Sequence, residues 1–352
     1  MTMEELFSQV EQIQKLLANA IPNLVYPQPA FLRFLQASVD GAPKAVFYRE
    51  GRELLGFLPY FVMRNTVGIV VNSLPWFGSH GGCYVHKDAD QALVREKLLT
   101  ELASVLASSK KELISATISL SPFEYPYADI YKQILRPDIM EGRVGQILYL
   151  PSLHGEDDAE TSRALMAMME QKARNSLRKG LKQGFTYHQD NTPVAINFLY
   201  KTHCENMLAI GGIPKTHAQV NKLVAMLGHA CRIHIARYNN ENVAAMLCLH
   251  HKPGIEYMLP VIKQEFRPLQ PLSFLIHTAL IEACKDSYKY WNFGGTWATQ
   301  HSLYHFKKGW GATDCPYTYC IMRGDALEKL EKEDFARFSN YFIYPYDKLK
   351  TQ

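Results

Sequence analysis

The spacing of hydrophobic residues divides the first half of the chain into a helical start and a strand-rich continuation. Apolar residues three and four positions apart predict an N-terminal helix, and residues 30–37 predict a second one. Residues 44–50 and 53–65 are rich in β-branched and aromatic side chains and flank a turn at Gly51, which predicts a β-hairpin. A strand, a helix and two further strands are predicted at residues 67–72, 89–106, 113–120 and 146–150.

The second half repeats this order of elements. Two helices are predicted at residues 194–209 and 218–227, and strands follow at 232–237, 243–250 and 254–262. The last four elements alternate helix and strand, at residues 272–285, 288–293, 299–308 and 315–323. Strands interleaved with helices predict an α/β or α+β fold. A duplication is inferred from the order of elements alone, because sequence identity between the halves is negligible.

A basic helix is predicted at the start of the second half. It follows residues 152–161, which are polar and acidic and are predicted to form a linker. Apolar residues step by three and four from Met166 to Leu181, which predicts one continuous helix. Residues 172–182 contain five Lys and Arg and no acidic residue, and Arg174, Arg178 and Lys182 form one row. The row is either a solvated face or a surface that faces phosphate.

Composition is that of a globular protein with a modest positive charge. The chain has 352 residues, of which 47% are hydrophobic and 20% charged. It is longer than the roughly 250–300 residues at which single cores stop growing, so two domains are expected. The net charge of +4 is smaller than the five positive charges of residues 172–182. This is too little for a protein that coats nucleic acid, and we expect no DNA binding.

Cysteine usage and the absence of an apolar segment predict a cytoplasmic protein without a transmembrane anchor. The seven cysteines form no C-x-x-C pair, as in proteins with reduced thiols. The most apolar stretch, residues 54–63, contains Gly56 and Pro59 and is too short to cross a bilayer. The histidines and cysteines lack the spacing of a zinc site, and no G-x-S-x-G elbow occurs, so neither a metal nor a serine hydrolase is expected.

Three motifs in the second half carry a family resemblance. They are K-A-R-N-S-L-R-K at residues 172–179, W-N-F-G-G-T at 291–296 and Y-H-F-K-K-G-W-G at 304–311. In this order and at these distances they resemble the FemAB-like, Fem-type peptidyltransferases of the GNAT superfamily. Similar features of the family's first domain are Leu58-Pro59, Leu74-Pro75 and Gly81-Gly82. The resemblance extends from about Lys44 to Cys320.

The resemblance implies two tandem GNAT-like domains, each a mixed, mostly antiparallel sheet flanked by helices. We place them at residues 1–152 and 153–322, the second being catalytic, and residues 323–352 form a C-terminal tail that could pack back on the first. The implied reaction is N-acyl transfer, in which an amine attacks the carbonyl of a thioester or of an aminoacyl-tRNA ester. The acceptor would be a small molecule or a glycan-linked cell-envelope precursor of bacterial type. The co-substrate would be acyl-CoA or aminoacyl-tRNA, with no permanently bound cofactor.

The F-K-K motif supplies the catalytic candidates. The resemblance associates the Lys after Phe with catalysis, which here is Lys307 after Phe306. An ammonium can donate hydrogen bonds to a developing oxyanion. Tyr304 and His305 adjoin it, and His305 could accept a proton. Helical spacing puts His305 and Lys307 on different faces, which favours Lys307. The alternative is a surface cation that offsets the helix dipole.

Donor contacts are expected at the helix that begins near Pro271. Residues 264–271 lack the glycine loop that holds the pyrophosphate of acetyl-CoA in simple GNAT acetyltransferases, which weakens the case for acetyl-CoA. Free amides at the helix start could still bind an anion, although ordinary helix initiation explains Pro271 equally well. The expected donor contacts are Arg267, Gln270, Leu272 and Ser273. The low net charge and the lack of a long helical arm weaken the case for tRNA.

Substrate contacts are expected in the glycine-rich loop of residues 74–82, because loops that carry Trp and His commonly contact ligands. A loop packed on its own aromatic residues is the alternative. The expected substrate contacts in the whole chain are Tyr60, Trp76, His80, Arg174, Arg178, Tyr257 and Asn292.

Two functions remain open at the level of sequence. The first is an acyl or aminoacyl transferase, which the intact F-K-K-x-W-G motif favours. The second is a tandem GNAT-like protein that has lost catalysis and serves as a binding or scaffold protein.

Overall fold

The computed structural model describes residues 6–20, 24–75, 80–152, 157–296, 300–338, 341 and 344–350. The chain forms two compact units. Unit 1 comprises residues 1–143 and 316–352, and unit 2 comprises residues 144–315. Both are mixed sheets flanked by helices, which confirms the predicted fold class.

The helices of the described residues are α1 (Val10–Ala18), α2 (Pro29–Ser38), α3 (Gln91–Ser108), α4 (Ala128–Leu135), α5 (Asp158–Met168), α6 (Gln171–Leu181), α7 (Pro193–Leu208), α8 (His217–Leu227), α9 (Pro271–Lys285), α10 (His301–Lys308) and α11 (Tyr346–Lys350). The strands are β1 (Ala42–Glu50), β2 (Glu53–Asn65), β3 (Gly68–Asn72), β4 (Tyr84–Val85), β5 (Leu113–Ser119), β6 (Ile139–Tyr149), β7 (Thr186–Gln189), β8 (Cys231–Tyr238), β9 (Glu241–His251), β10 (Gly254–Ile262), β11 (Tyr290–Thr296) and β12 (Thr313–Arg323). No helix in this described part is long and apolar enough to cross a membrane.

Unit 1 is built on the strand order β1-β2-β3-β5-β12, with β4 paired to β2. Residues Tyr319–Arg323 of β12 run antiparallel to β5, whereas β3 and β5 are parallel. Helix α3 packs its apolar side into the core of this unit. One residue of α3, Arg95, is buried and forms two hydrogen bonds with the carboxylate of Glu124, at 2.8 and 2.7 Å. Glu124 also accepts from Tyr131, so the buried charge is fully hydrogen-bonded.

Unit 2 is built on the strand order β6-β11-β10-β9-β8-β7. Helix α9 packs on one face of the sheet, where apolar residues of β9 and α9 share one core cluster. Residues that point to the opposite face, such as Ile233 and Leu249, are also fully buried. Helices α7 and α8 contact strands β8 to β10, so this part of the sheet is covered on both faces, and β9 is continuously apolar from Val243 to Leu249.

A chain of hydrogen bonds runs from Glu282 of α9 to two buried histidines of the sheet. The hydroxyl of Tyr187 donates to the carboxylate of Glu282, and therefore accepts from His234 Nδ1 at 2.9 Å. His234 Nε2 then accepts from His250 Nε2 at 3.3 Å. Both imidazoles are neutral, because burial lowers the pKa of His234 to about 3 and that of His250 to about 2.

The prediction of one continuous helix through Met166 and Leu181 is wrong. The chain leaves helical geometry at Met169 and Glu170, and α5 and α6 are separate helices. The break is made by a distant segment, because the Glu170 N–H donates to the Gly309 carbonyl at 2.9 Å. Gly311 approaches the carbonyl of Met168 so closely that a Cβ there would lie 2.6 Å from its oxygen. Helix α4 and strand β7 are further elements that the sequence pattern did not predict.

Candidate functional site

The central feature of unit 2 is the point at which two parallel strands separate. Strands β10 and β11 pair at three positions, the last of which joins Glu256 to Asn292. Both strands continue past this point, β10 to Ile262 and β11 to Thr296. Beyond this point the two strands are not paired with each other, and strands that separate in this way can admit an extended ligand. We call the space between them the strand gap.

Each strand is irregular beside the strand gap. The register between β10 and β9 shifts between Tyr257 and Leu259, and that between β11 and β6 shifts between Asn292 and Gly295. Gly294 lies in this second shift with a φ of 74°, a conformation that favours glycine. Bulges of this kind redirect backbone groups and are common next to active sites.

Two polar side chains are buried where the strand gap begins. Glu256 is 4% exposed and Asn292 is 1% exposed. Asn292 Nδ2 donates to Glu256 Oε2 at 2.9 Å, and the Gly294 N–H donates to Asn292 Oδ1 at 2.9 Å. Burying a carboxylate is costly unless it is hydrogen-bonded, so Asn292 both orients and stabilises Glu256. Asn292 is among the residues predicted from the sequence, whereas Glu256 is not. The signal for Glu256 is an acidic residue inside the otherwise apolar strand G-I-E-Y-M-L-P-V-I.

Tyr257 points to the opposite face of the sheet from Glu256 because side chains alternate along a strand. Its ring packs on Trp291 and Phe293, with centroids at 6.0 and 5.4 Å. The hydroxyl has no hydrogen-bond partner among the described residues, and burial raises its pKa well above the ordinary value. The structure therefore places Tyr257 in the core beneath the strand gap.

Lys307 binds the end of β11. Its buried Nζ donates to the carbonyls of Gly294 and Gly295, at 3.1 and 2.9 Å, and to Thr296 Oγ1 at 2.9 Å. Three acceptors match the three hydrogens of an ammonium. Burial opposes the charge and lowers the pKa of Lys307 to about 8. Within the described chain, no carboxylate forms an ion pair with it.

The other candidates of α10 lie away from the end of β11. Tyr304 donates its hydroxyl to Asp314 at 2.6 Å. His305 is exposed, with its ring edge-to-face on Tyr304, and so lies on a different face of the helix from Lys307. Phe306 packs on Trp310 and the core of unit 2. Of these residues, Lys307 is the one that the structure brings to the strand gap.

The four expected donor contacts lie around the start of α9. Gln270 is the residue before the helix, with a φ of 63°, and its side chain accepts from Ser273 Oγ at 3.3 Å. Arg267 is exposed. The side chain of Leu272 packs on the core, so Leu272 can offer an anion only its backbone N–H. Helix α6 reaches this turn through Gly180, where a Cβ would lie 2.7 Å from the Gln270 carbonyl oxygen.

The basic row of α6 remains available for an anion. Arg178 and Lys182 are exposed and Arg174 is half-buried. Among the described residues, none of the five cations of residues 172–182 forms an ion pair with a carboxylate. The end of α6 and the start of α9 thus combine side-chain cations with free backbone amides.

The candidates of unit 1 lie in its core where they are described. His80 is buried, donates from Nδ1 to the Leu120 carbonyl at 3.0 Å, and packs on Tyr317. Burial lowers its pKa to about 4, so the ring is neutral. Tyr60 belongs to the apolar core of the unit, and burial raises its pKa. Trp76 lies outside the described residues. Over the described part of the chain, no group of three or more His, Cys, Asp or Glu is arranged to hold a metal ion.

Comparison with known proteins identifies the fold of unit 2. Residues 169–308 match the family model of the acetyltransferase (GNAT) domain, a segment that contains α6, the strand gap and Lys307. No curated protein matches the sequence.

Several solved structures share the fold over most of the chain. FemX is 9% identical over 88% of this chain and 95% of its own, with a TM-score of 0.67. The C-terminal domain of a putative lysylphosphatidylglycerol synthetase from Agrobacterium fabrum is 12% identical over 94% and 96%, with a TM-score of 0.55. A tandem GNAT protein from the clavulanic acid biosynthesis pathway is 12% identical over 92% and 97%, with a TM-score of 0.54. The predicted resemblance to Fem-type and tandem GNAT proteins is confirmed as a shared fold.

Proposed function

We propose that this protein is an N-acyltransferase whose reaction takes place at the strand gap of unit 2. The observation that carries the proposal is the combination, at one opening in the sheet, of a buried carboxylate and a buried ammonium. Glu256 lies where β10 and β11 separate, and Lys307 binds the residues with which β11 ends. The GNAT match over residues 169–308 supports the acyl-transfer chemistry.

Glu256 serves as the proton acceptor in this proposal. The acceptor amine is an ammonium at neutral pH and must lose a proton before it can attack. The proton passes to the Glu256 carboxylate, nitrogen bonds to the carbonyl carbon, and a tetrahedral oxyanion forms. Collapse of this intermediate breaks the bond to the leaving sulfur or oxygen, which takes the second proton of the attacking nitrogen. Asn292 holds the carboxylate in place throughout, through its 2.9 Å hydrogen bond.

Lys307 acts through the end of β11. Its three hydrogen bonds fix the carbonyls of Gly294 and Gly295 and the hydroxyl of Thr296, and so set the shape of the strand gap on that side. In this proposal its positive charge also stabilises the oxyanion, an effect that is strong in a site of low dielectric constant. To donate a hydrogen bond directly to the oxyanion, Lys307 would have to give up one of these three hydrogen bonds.

The anionic part of the donor binds, in this proposal, between the start of α9 and the end of α6. Free amides follow Gln270, and the adjacent Arg178 and Arg267 are exposed. Acyl-CoA and aminoacyl-tRNA both carry phosphates that such a site attracts. The acceptor is an amine on a small molecule or on a glycan-linked cell-envelope precursor, as the resemblance to Fem-type proteins implies.

The test is amine-dependent turnover of defined donors. Purified protein is incubated with acetyl-CoA, longer acyl-CoAs or charged tRNA and a panel of amines, including amino sugars and peptidyl precursors. We expect release of free thiol, or of uncharged tRNA, only when donor and amine are both present. Coenzyme A or tRNA is also expected to raise the melting temperature, because a ligand that binds the folded state stabilises it. No turnover and no stabilisation with any donor would contradict the proposal and favour a scaffold role.

A further inference from the structure

An exposed apolar loop joins α7 to α8. Leu208 is 68% exposed, Ile210 74% and Ile213 89%. The nine residues from 206 to 214, N-M-L-A-I-G-G-I-P, contain no charge. Single exposed aliphatic residues are common on protein surfaces, but three within six residues form a patch that calls for a partner. We call residues 208–213 the apolar loop.

The apolar loop is fixed to the end of β10. Asn206, at the end of α7, donates from Nδ2 to the Ile262 carbonyl at 2.9 Å and accepts from the Ile262 N–H at 3.0 Å. Residues Gln264–Leu269 then form a short 3-10 helix, and Gln270 contacts Gly180 of α6. At a rise of about 2 Å per residue, this helix spans only about 12 Å. The apolar loop and the last turn of the basic helix therefore lie at the same end of unit 2.

This end of unit 2 carries an excess of positive charge. Four exposed cations without a carboxylate partner among the described residues are Arg178, Lys179, Lys182 and Arg267. Lys263 is also present but is paired with Glu241. The exposed acidic residues at this end are Glu205, Glu265 and the Glu241 that pairs with Lys263. The surface around the apolar loop is therefore complementary to an anionic partner.

We propose that this end of unit 2 binds the surface of an anionic lipid bilayer, with the apolar loop inserted among the headgroups and the four cations facing them. A stable protein partner needs about 800 Å² on each side, far more than three side chains at the tip of a loop can supply. A bilayer requires only short apolar insertion together with basic residues, and neither signal suffices alone. This proposal goes beyond acyl transfer, but it shares Arg178 and Arg267 with the proposed donor site, so flotation is measured without a donor.

Vesicle flotation with the full chain tests the proposal. Vesicles of phosphatidylcholine alone are compared with vesicles that contain roughly one third phosphatidylglycerol, at low and at high salt. We expect binding to the anionic vesicles that weakens with salt, and at least about tenfold weaker binding to the neutral ones, since each basic residue near the surface contributes about fivefold. Failure of the full chain to float with anionic vesicles at low salt would overturn the proposal.

Variants separate the two parts of the surface. Ile210→Ser with Ile213→Ser is expected to lower partitioning about tenfold, and Arg178→Glu with Lys182→Glu to remove most of the salt dependence. Val194→Ser is the matched control, because Val194 is 71% exposed at the other end of α7 and should bind as wild type does. All these side chains are exposed or partly so, and circular dichroism checks that the variants fold. Wild-type partitioning by the Ile210→Ser and Ile213→Ser double variant would overturn the proposal. It would also be overturned if the wild type formed a dimer at higher concentration and this variant did not, because the apolar loop would then bind a second copy of the chain.

Discussion

Lys307 shows how a single side chain can be both a structural element and a candidate for chemistry. Its ammonium is fully hydrogen-bonded by residues 294–296, yet it is buried without a carboxylate counter-ion in the described chain. An ammonium in this setting is held by dipoles alone, which leaves its charge available to an oxyanion. The neighbouring Lys308 is different, because it lies 3.3 Å from Asp314.

Lys307→Ala is expected to lower kcat about 10²–10³-fold, because it removes both the charge and the clamp on the end of β11. Lys308→Ala is the control and should change kcat by about twofold or less, since a partly exposed ion pair contributes little. The measurement is amine-dependent thiol release, with melting temperatures recorded for both variants. Equal activities of the two variants would remove Lys307 from the reaction.

Glu256→Gln is expected to lower kcat/KM about 10²–10⁴-fold near neutral pH, the usual range for loss of a general base. The amide can still bond to Asn292, so the fold should persist. The variant's rate should rise about tenfold per pH unit up to the pKa of the acceptor, because the free amine then needs no base. A merely structural role would not produce this recovery. Glu282→Gln, in the Tyr187 network, is the control and should keep the wild-type pH profile.

At the scale of elements, patterns that depend on local spacing were predicted well. The strand predicted at residues 254–262 has the same first and last residues as β10, because a Pro-Gly turn marks the start of its apolar run. The break between α5 and α6 could not be predicted, because Gly309 and Gly311, far along the chain, create it. Strand β7 was missed because T-Y-H-Q has no apolar alternation and forms only through pairing with β8.

The candidate site was only partly predictable for the same reason. The F-K-K motif identified Lys307, but its three acceptors are two backbone carbonyls and a hydroxyl of a different element. Which residue faces the strand gap depends on where β10 and β11 separate, and that is a property of pairing between strands. The position of Glu256 at the strand gap therefore could not be predicted from the sequence of β10 alone.

Gly180→Ala tests the packing of α6 against α9. Alanine within a helix is normally favoured over glycine by about 0.5–1 kcal/mol. Here the new Cβ would lie 2.7 Å from the Gln270 backbone oxygen, so α6 or the start of α9 must shift. We expect a net loss of about 1–2 kcal/mol in the free energy of unfolding, within the usual range for overpacking. Asn175→Ala, on the exposed side of the same helix, is the control. The free energy of unfolding of both variants is measured by urea titration. A Gly180→Ala variant that is more stable than the wild type would contradict this packing.

At the scale of the whole molecule, buried neutral histidines should make the protein sensitive to acid. The pKa is lowered by burial to about 4 in His203 and His277, about 3 in His234 and about 2 in His250. Between these values and the ordinary 6.5, the unfolded chain binds more protons than the folded one. The stability is therefore complete above about pH 6.5 and is lost as pH falls toward the folded values.

His250→Leu should reduce this dependence. Between pH 6.5 and pH 5, one deeply buried neutral histidine accounts for about 2 kcal/mol of lost stability. The variant's free energy of unfolding, measured by urea titration at pH 7.5 and pH 5, should fall by about that much less than the wild type's. His305→Asn is the control, because His305 is exposed and lies outside this network. An unchanged slope in the variant would show that His250 does not set the acid response.

The order of the two units along the chain affects how the protein folds during its synthesis. The sequence of unit 2 interrupts that of unit 1, and one edge of β5 receives its neighbour only from residues Tyr319–Arg323. A ribosome that adds about 5–20 residues per second needs about 10–40 s to advance from the end of β5 to the end of β12. During that interval the nascent strand presents an open edge outside the exit tunnel. We expect chaperones that bind unpaired strands to recognise this protein before its release from the ribosome.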